Sequence, residues 1–436
     1  MVVRHPDHVR RPSRGHQPPS EVLTTVAESS NAAPFDATRL GAAAQEKEGL
    51  QDWGPLAFQT PLAVLTDSYS AADLNDIGAH ILRSGLVHSL RMRLRAQEWF
   101  RRHPEIAQET IAAPIVVVGM MRSGTTLLQR LLAADPRFHC AFGWEVVEVA
   151  PRLDHQWSAH EDPRIVVSEK REAMSREMAP DLFAIHPMYA REPEEEIVFL
   201  SDAFLSHVPE SGAHVPAYRA WIDTQDFTPA YRYLHRMLQF LQWQKRQRAG
   251  EAGRERFSAG EAAQRWVLKS PAHLGYLDVL RTQFPDLHVV HMHRDPRETI
   301  PSGASLNATL HAMHSDHVDR HRVGAQWLSR MGWTNDRAMA TRARWDDEST
   351  RCTDIQFADA VADPIGQVSR VYDAIGLDLT ESAESAMRRW LTERPRELPR
   401  PPYAAGDFGL SDAQIDERFA AYNARFRSAA QPTRRT

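Results

Sequence analysis

Residues 115–132 combine the residue types and spacing most suited to chemistry. An apolar run, Ile115-Val116-Val117-Val118, enters Gly119-Met120-Met121-Arg122-Ser123-Gly124-Thr125-Thr126 and then the helical pattern Leu127-Leu128-Gln129-Arg130-Leu131-Leu132. A buried strand, a Gly-bounded turn and a helix start make a cradle for oxyanions, because unpaired backbone N–H groups and the positive helix end face whatever the turn holds. The glycine spacing is that of a phosphate loop, but the lysine that should follow the second glycine is missing. Thr125 and Thr126 stand there, and the cation is Arg122, inside the loop. A kinase or ATPase needs that lysine on the β- and γ-phosphates and a Ser/Thr on Mg²⁺. A loop without it suits a nucleotide donor with one 5′-phosphate and a second anionic group, and calls for no metal.

Four further groups of residues bear on such a donor. Arg294 ends a predicted strand and Ser302 follows eight residues later, inside a predicted helix, so a guanidinium fork and a hydroxyl can converge on a second phosphate. Lys269 directly follows the short strand pattern Trp266-Val267-Leu268, which places its ammonium at the same sheet edge as the loop. Glu145, in Phe142-Gly143-Trp144-Glu145, lies one short connection beyond the loop helix; a carboxylate there is a candidate general base for an acceptor hydroxyl. A structural or substrate-orienting carboxylate is the other reading. His186-Pro187 and Glu194-Glu195-Glu196 form a further cluster, in which one carboxylate is expected to turn inward and the others to be solvated. His311, His314, His317 and His321 fall at helical spacing, but no Cys or carboxylate pair completes a metal site there, and a solvated polar face is expected.

Arg122-Ser123-Gly124-Thr125-Thr126-Leu127 resembles the 5′-phosphosulfate loop of sulfotransferases that use 3′-phosphoadenosine 5′-phosphosulfate (PAPS), of the bacterial branch and with similarity to tyrosylprotein sulfotransferases. The Arg294-to-Ser302 interval resembles their 3′-phosphate segment, and Lys269-Ser270-Pro271 their Lys-x-Pro element, in which the lysine neutralises the leaving oxygen. Glu145 resembles the catalytic glutamate of the tyrosylprotein branch; since His can be the base in carbohydrate- and steroid-type sulfotransferases, the resemblance also leaves His139, His155 and His186 open. His186 and Glu195 resemble a motif of the bacterial branch and are expected near the acceptor. Arg400-Pro401-Pro402-Tyr403 and Asp407-Phe408-Gly409-Leu410 resemble a closing segment in which Tyr403 and Gly409 cover the donor; a Pro-rich connection to a docking helix is the alternative. The resemblance implies in-line sulfuryl transfer to the hydroxyl of a small molecule, less readily to an amine, with catalysis by Arg122, Lys269 and Glu145. A P-loop small-molecule kinase using ATP and a non-catalytic nucleotide-binding protein are the competing readings.

The elements that must position these groups alternate strand and helix: strand 115–118, helix 125–134, strand 266–268, helix 272–283, strand 287–293, helix 297–310, a weak strand Ile355-Gln356-Phe357 and a helix 365–374. This predicts an α/β fold, a P-loop-like parallel sheet flanked by helices, with ligands at the carboxyl ends of the strands. A helical prefix is expected over 62–111, where Leu74, Ile77, Ile81, Leu82 and Leu86 share a face and Ser84-Gly85 is a candidate break. A mainly helical insertion, 145–262, is expected to cover the site. Trp144, Trp157, Tyr189, Phe199 and Phe204 within it read chiefly as helix packing, so the acceptor is not legible.

A sulfotransferase domain over 60–430 and a disordered tail over 1–35, rich in Pro, Arg, His and Ser, account for the chain of 436 residues. A hydrophobic fraction of 42% with 25% charged residues is that of a globular protein, and a net charge of −5 disfavours nonspecific nucleic-acid binding. No run of about 18 apolar residues predicts a transmembrane helix. Two cysteines, Cys140 and Cys352, set no disulfide framework, and reducing cytoplasm is the simpler compartment. Nothing in the sequence fixes an oligomeric state.

Overall fold

The computed structural model describes residues 35–157, 161–258, 265–394, 398–399 and 401–427. The tail expected at 1–35 lies outside these except for Phe35, as does Arg400. Five parallel strands form the sheet: β1 (Ile115–Gly119), β2 (Phe138–His139), β3 (Arg265–Lys269), β4 (His288–His293) and β5 (Cys352–Gln356), in the order β2-β3-β1-β4-β5. The expected parallel sheet is therefore present. Its central strand, β1, is a β-branched run with every residue buried, as a strand covered on both faces requires. Val116 and Val118 pack into one apolar cluster with Leu268 and Val289, while Ile115 and Val117 pack into another with Leu128, Val267 and Val290. Alternation thus feeds two helical layers, each buried Val or Ile contributing about 1.5–3 kcal/mol.

Register aligns the strand ends. Val117 pairs with Lys269, Gly119 with Met292 and His293 with Gln356. The loop, Lys269, Arg294 and Phe357 consequently leave the sheet at one edge. β5 begins earlier than expected, at Cys352, and ends before Phe357, which starts a helix.

The prefix comprises α1 (Ala37–Glu48), α2 (Gln59–Ser70) and α3 (Asp76–Arg102). α1 precedes the expected boundary at residue 60, yet it packs on α3, and Glu48 pairs with Arg91 and Arg95 of that helix at 2.5 and 2.6 Å. α3 is continuous through Ser84-Gly85, so the expected break is absent. One glycine costs about 1 kcal/mol, and the buried stripe Leu86, Leu90, Leu94 outweighs it. The loop helix α4 (Thr125–Ala133) follows β1. From α5 (Gly143–Val147) through α6 (Pro163–Met178), α7 (Pro180–Ile185), α8 (Ile197–Asp202) and α9 (Thr228–Ser258), the described residues are helical apart from connections and an isolated bridge, Phe142 to Pro193.

After β4, α10 (Pro296–His314) is capped by Asp295, whose carboxylate accepts the Arg297 N–H; α11 (Arg320–Arg342) packs on it. The expectation of a solvated histidine face holds for His317 and His321 and fails for His311 and His314. Both are buried, their rings bonded to the carbonyls of Glu210 (3.3 Å) and Gly212 (2.9 Å). The start of α3 crosses the end of α10 so closely that a Cβ on Gly78 would lie 2.4 Å from the His314 Cα. His291, His293 and Asp354 also converge, but Arg342 holds both Asp354 oxygens (2.7 and 2.8 Å) and His291 Nδ1 (2.9 Å), so a guanidinium already sits in that cluster.

Gly78→Ala is expected to destabilise by about 2 kcal/mol through overpacking, read as a lower urea midpoint. Gly85→Ala, with open space around its Cβ, is expected to raise the midpoint by about 1 kcal/mol of stability.

Candidate active site

The turn between β1 and α4 is built from left-handed residues. Arg122 has φ 74° and Gly124 φ 94°. For arginine this conformation costs about 1–2 kcal/mol, and such strain concentrates where backbone N–H groups are aimed at a ligand. Gly124, at the N-cap of α4, offers no side-chain cap; the Leu127 N–H turns back to its carbonyl (3.1 Å), and the Thr125 and Thr126 amides at the helix start have no side-chain cap. Ser123 Oγ is fully buried and meets no hydrogen-bond partner among the described residues. Uncapped amides and an orphan hydroxyl fit an anionic group seated in the loop. Arg122 Nε donates to Ser302 Oγ (3.3 Å) and Nη1 to the Ile185 carbonyl (3.0 Å), so the guanidinium bridges the loop, α10 and the end of α7.

Lys269 supplies the lysine that the loop lacks. Its side chain is 1% exposed, and Nζ donates to Thr126 Oγ1 (3.3 Å) and Glu195 Oε1 (2.5 Å). Of the three adjacent glutamates, one was expected inside and two solvated; all three turn inward. Glu194 Oε1 accepts the Glu195 N–H (2.9 Å), and Glu196 accepts the Lys269 N–H (3.1 Å) and pairs with His273 (2.6 Å). The reason is backbone conformation. The segment precedes α8 and runs beside residues 141–142, where Glu194 N–H donates to the Ala141 carbonyl (2.9 Å), rather than coiling as a helix.

Arg294 Nη1 donates to the Arg122 carbonyl (2.9 Å), its other donors go to Glu298 (2.9 and 2.5 Å), and its guanidinium lies 4.0 Å over the Phe357 ring. Phe357 in turn packs on Gly124: a Cβ there would sit 2.6 Å from the ring. Ser302 is buried and touches Arg122 rather than Arg294.

A cavity of about 960 Å³ opens on this edge. Arg122, Gly124, Thr125, Thr126, His186, Glu195 and Arg294 all line it, so the structure brings these together. Ser123, Lys269 and Ser302 stand behind that lining, within the loop or bonded to Thr126 and Arg122, and three of the expected residues lie away from it altogether. Glu145 is fully buried, and its oxygens hold Lys245 Nζ (2.6 Å), Arg248 Nη2 (2.7 Å) and the Phe142 N–H (3.0 Å), capping α5. Burial alone would raise its pKa, but Lys245 and Arg248 overcome this and hold the carboxyl at about 2. A carboxylate so tightly held as the anion, with no wall of the cavity, is a poor base. Tyr403 is exposed, and Gly409, in a left-handed cap, packs against His321; neither lines the cavity. None of the five aromatic residues singled out from the sequence lines it either. The aromatic wall is Tyr276, Trp327, Trp333 and Phe357, residues dispersed over distant helices with no local motif.

Because folding lowers the Glu145 carboxyl from 4.5 to about 2, its stabilisation is complete above about pH 4.5 and is lost as the pH falls toward 2. Glu145→Ala strands two cations and is expected to cost about 3–5 kcal/mol. Denaturant titrations across that pH window check both statements: the variant's deficit should shrink toward pH 2.

The family model for the sulfotransferase family matches residues 114–381, the span from the entry to β1 through the helices after β5. Omega-hydroxy-beta-dihydromenaquinone-9 sulfotransferase Stf3 of Mycobacterium bovis is 27% identical over 310 residues, covering 65% of this chain and 69% of its own. The crystal structure of sulfotransferase STF1 from Mycobacterium tuberculosis H37Rv superposes with a TM-score of 0.75 at 31% identity, over 88% of this chain and 98% of that one. STF9 from Mycobacterium avium, at 23% identity and a TM-score of 0.78 over 90% and 97% of the two chains, shares the fold. A lysine-free anion loop, a lysine delivered to it from the neighbouring strand and these likenesses lead to one conclusion: the chain belongs to the sulfotransferase family and is a sulfuryl-transferring enzyme.

Proposed function

We propose that the enzyme moves the sulfuryl group of PAPS to the hydroxyl of a largely apolar small molecule, releasing adenosine 3′,5′-bisphosphate. The observation that carries this is the trio Thr126, Lys269 and Glu195, joined by hydrogen bonds at the lip of a loop with no lysine of its own. Arg122, Ser123, Gly124, Thr125 and Thr126 hold the 5′-phosphosulfate through backbone amides, hydroxyls and the guanidinium. Arg294 takes the 3′-phosphate, giving up Glu298, and Ser302 steadies Arg122 beside it. Phe357, with Val361 and Pro364 next to it on the cavity wall, offers the purine a stacking face.

In an in-line transfer, the acceptor oxygen bonds to sulfur as the sulfur–oxygen bond to the nucleotide breaks. Lys269 neutralises the departing oxygen, and Arg122 the equatorial ones. Glu195 replaces Glu145 as the proposed base: it lines the cavity, carries a single cation and can take the hydroxyl proton. His186, also on the wall, orients the acceptor. The Stf3 relatives are named for a hydroxylated menaquinone; here Met121, Ile197, Val198, Trp327 and Met331 give the acceptor side of the cavity a matching apolar surface. No helix of the described residues is long and apolar enough to cross a membrane, and both cysteines are free, which supports a cytoplasmic setting.

Calorimetry is expected to register adenosine 3′,5′-bisphosphate and not ATP with Mg²⁺; the reverse pattern would retire the donor assignment in favour of a kinase. Glu195→Gln is expected to lower transfer of labelled sulfate from PAPS to a hydroxylated isoprenoid quinone by roughly 10²–10⁴-fold while leaving bisphosphate affinity within about threefold. Undiminished turnover in that variant would remove Glu195 as base.

A further inference from the structure

One buried carboxyl on the cavity wall has no part in the chemistry above. α8 forms a side of the cavity through Ile197, Val198, Ser201 and Asp202, running from just after Glu195 to Asp202. Asp202 is 3% exposed and its carboxyl forms no ion pair among the described residues; Ser89 of α3, near enough to favour its charged form, lines the cavity with it. Arg93 is nearby, but it donates to the backbone carbonyls of Asp202 (3.2 Å) and Leu56 (2.9 Å) and lies over the rings of Phe58 and Tyr233. Burial pushes the Asp202 carboxyl up to about 7, with Ser89 and Arg93 offsetting only part of the rise. Near neutral pH the group can therefore donate as well as accept. A carboxyl placed this deep in an apolar wall, with most of its bonding capacity unused, is costly unless a ligand completes it.

We propose that Asp202, assisted by Ser89, is a second recognition point for the acceptor, gripping a hydroxyl or carbonyl group carried at the far end of the molecule from the hydroxyl that is sulfated. Six residues, five of them helical, lie between Glu195 and this anchor, a span of roughly 10 Å at the α-helical rise. The acceptor class this selects is an elongated, chiefly apolar alcohol with polar groups at both ends. The inference rests on the acceptor side assigned above and specifies it.

Octane-1,8-diol matches that separation, and octan-1-ol lacks the second hydroxyl. Their affinities are compared by ligand-observed NMR on the full chain loaded with adenosine 3′,5′-bisphosphate. The diol is expected to bind about tenfold more tightly. Asp202→Leu, which keeps the branched shape, should bring the ratio of affinities close to one. Asp202→Asn should retain most of the preference, and Ser89→Ala should weaken it without abolishing it. Equal affinities in the unmodified protein, binding of neither alcohol, or an undiminished ratio in Asp202→Leu would each overturn the proposal. Nucleotide binding is read in the same samples, so selective binding of the diol without any bisphosphate would uphold the anchor and overturn the donor assignment instead.

Discussion

A lysine ammonium withdrawn almost completely from water must be paired, and the architecture around the site follows from how Lys269 meets that demand. The penalty for burying the ion is several kcal/mol, so Lys269 needs an anion in contact. Glu195 supplies it at 2.5 Å from a segment far away in sequence. Getting it there requires the helical insertion to return to the sheet edge and run extended past residues 141–142. Glu196 clamps the Lys269 backbone and His273, and Glu194 folds back on the Glu195 amide. The three glutamates thus staple the insertion onto the end of β3. Loss of the Lys269 pair alone would leave the Glu196 bonds to the Lys269 backbone and His273 holding that wall in place.

The same sheet edge gathers everything else because parallel strands in register end together. β1 gives the loop, β3 the lysine, β4 Arg294 and β5 Phe357. Each is within one residue of a strand end, and each touches the next: Lys269 reaches Thr126, Arg294 holds the Arg122 carbonyl, and Phe357 packs on Gly124 beneath Arg294. In a kinase-type loop the phosphate-binding lysine is part of the loop itself. Here it is contributed by the neighbouring strand, which leaves room within the turn for Arg122 in a left-handed conformation that lysine-bearing loops do not require of an arginine.

This division also explains what could be read from the sequence. β1 and β4 are legible because strands buried on both faces are continuous apolar or β-branched runs, and Lys269 and Arg294 because they follow such runs directly. β2, two residues long, has no period to detect. All three glutamates of 194–196 turn inward because bonds to Ala141, Lys269 and His273 hold the segment outside any helix, a constraint that local spacing does not carry. Glu145 carries no local sign of its fate: Lys245 and Arg248 lie about a hundred residues away on α9. α8 misleads in another way. Leu200 and Phe204 mark its core side, so Ser201 and Asp202 read as its solvent side, when that face in fact looks onto a cavity. Amphipathic analysis separates buried from unburied faces; it does not distinguish bulk water from a ligand.

Glu145 and Glu195 both sit against cations, yet they suit opposite roles, and the difference lies in the number of partners and in access. Two cations and a backbone amide saturate Glu145, itself shut off from solvent, so its charge is a fixed structural element. Glu195 has one cation, and that cation also touches the anion loop through Thr126. In the proposed reaction, negative charge arriving in the loop competes with Glu195 for Lys269. The shared ammonium thus joins the proposed base to the donor site, whereas the cations of Glu145 join it only to α9.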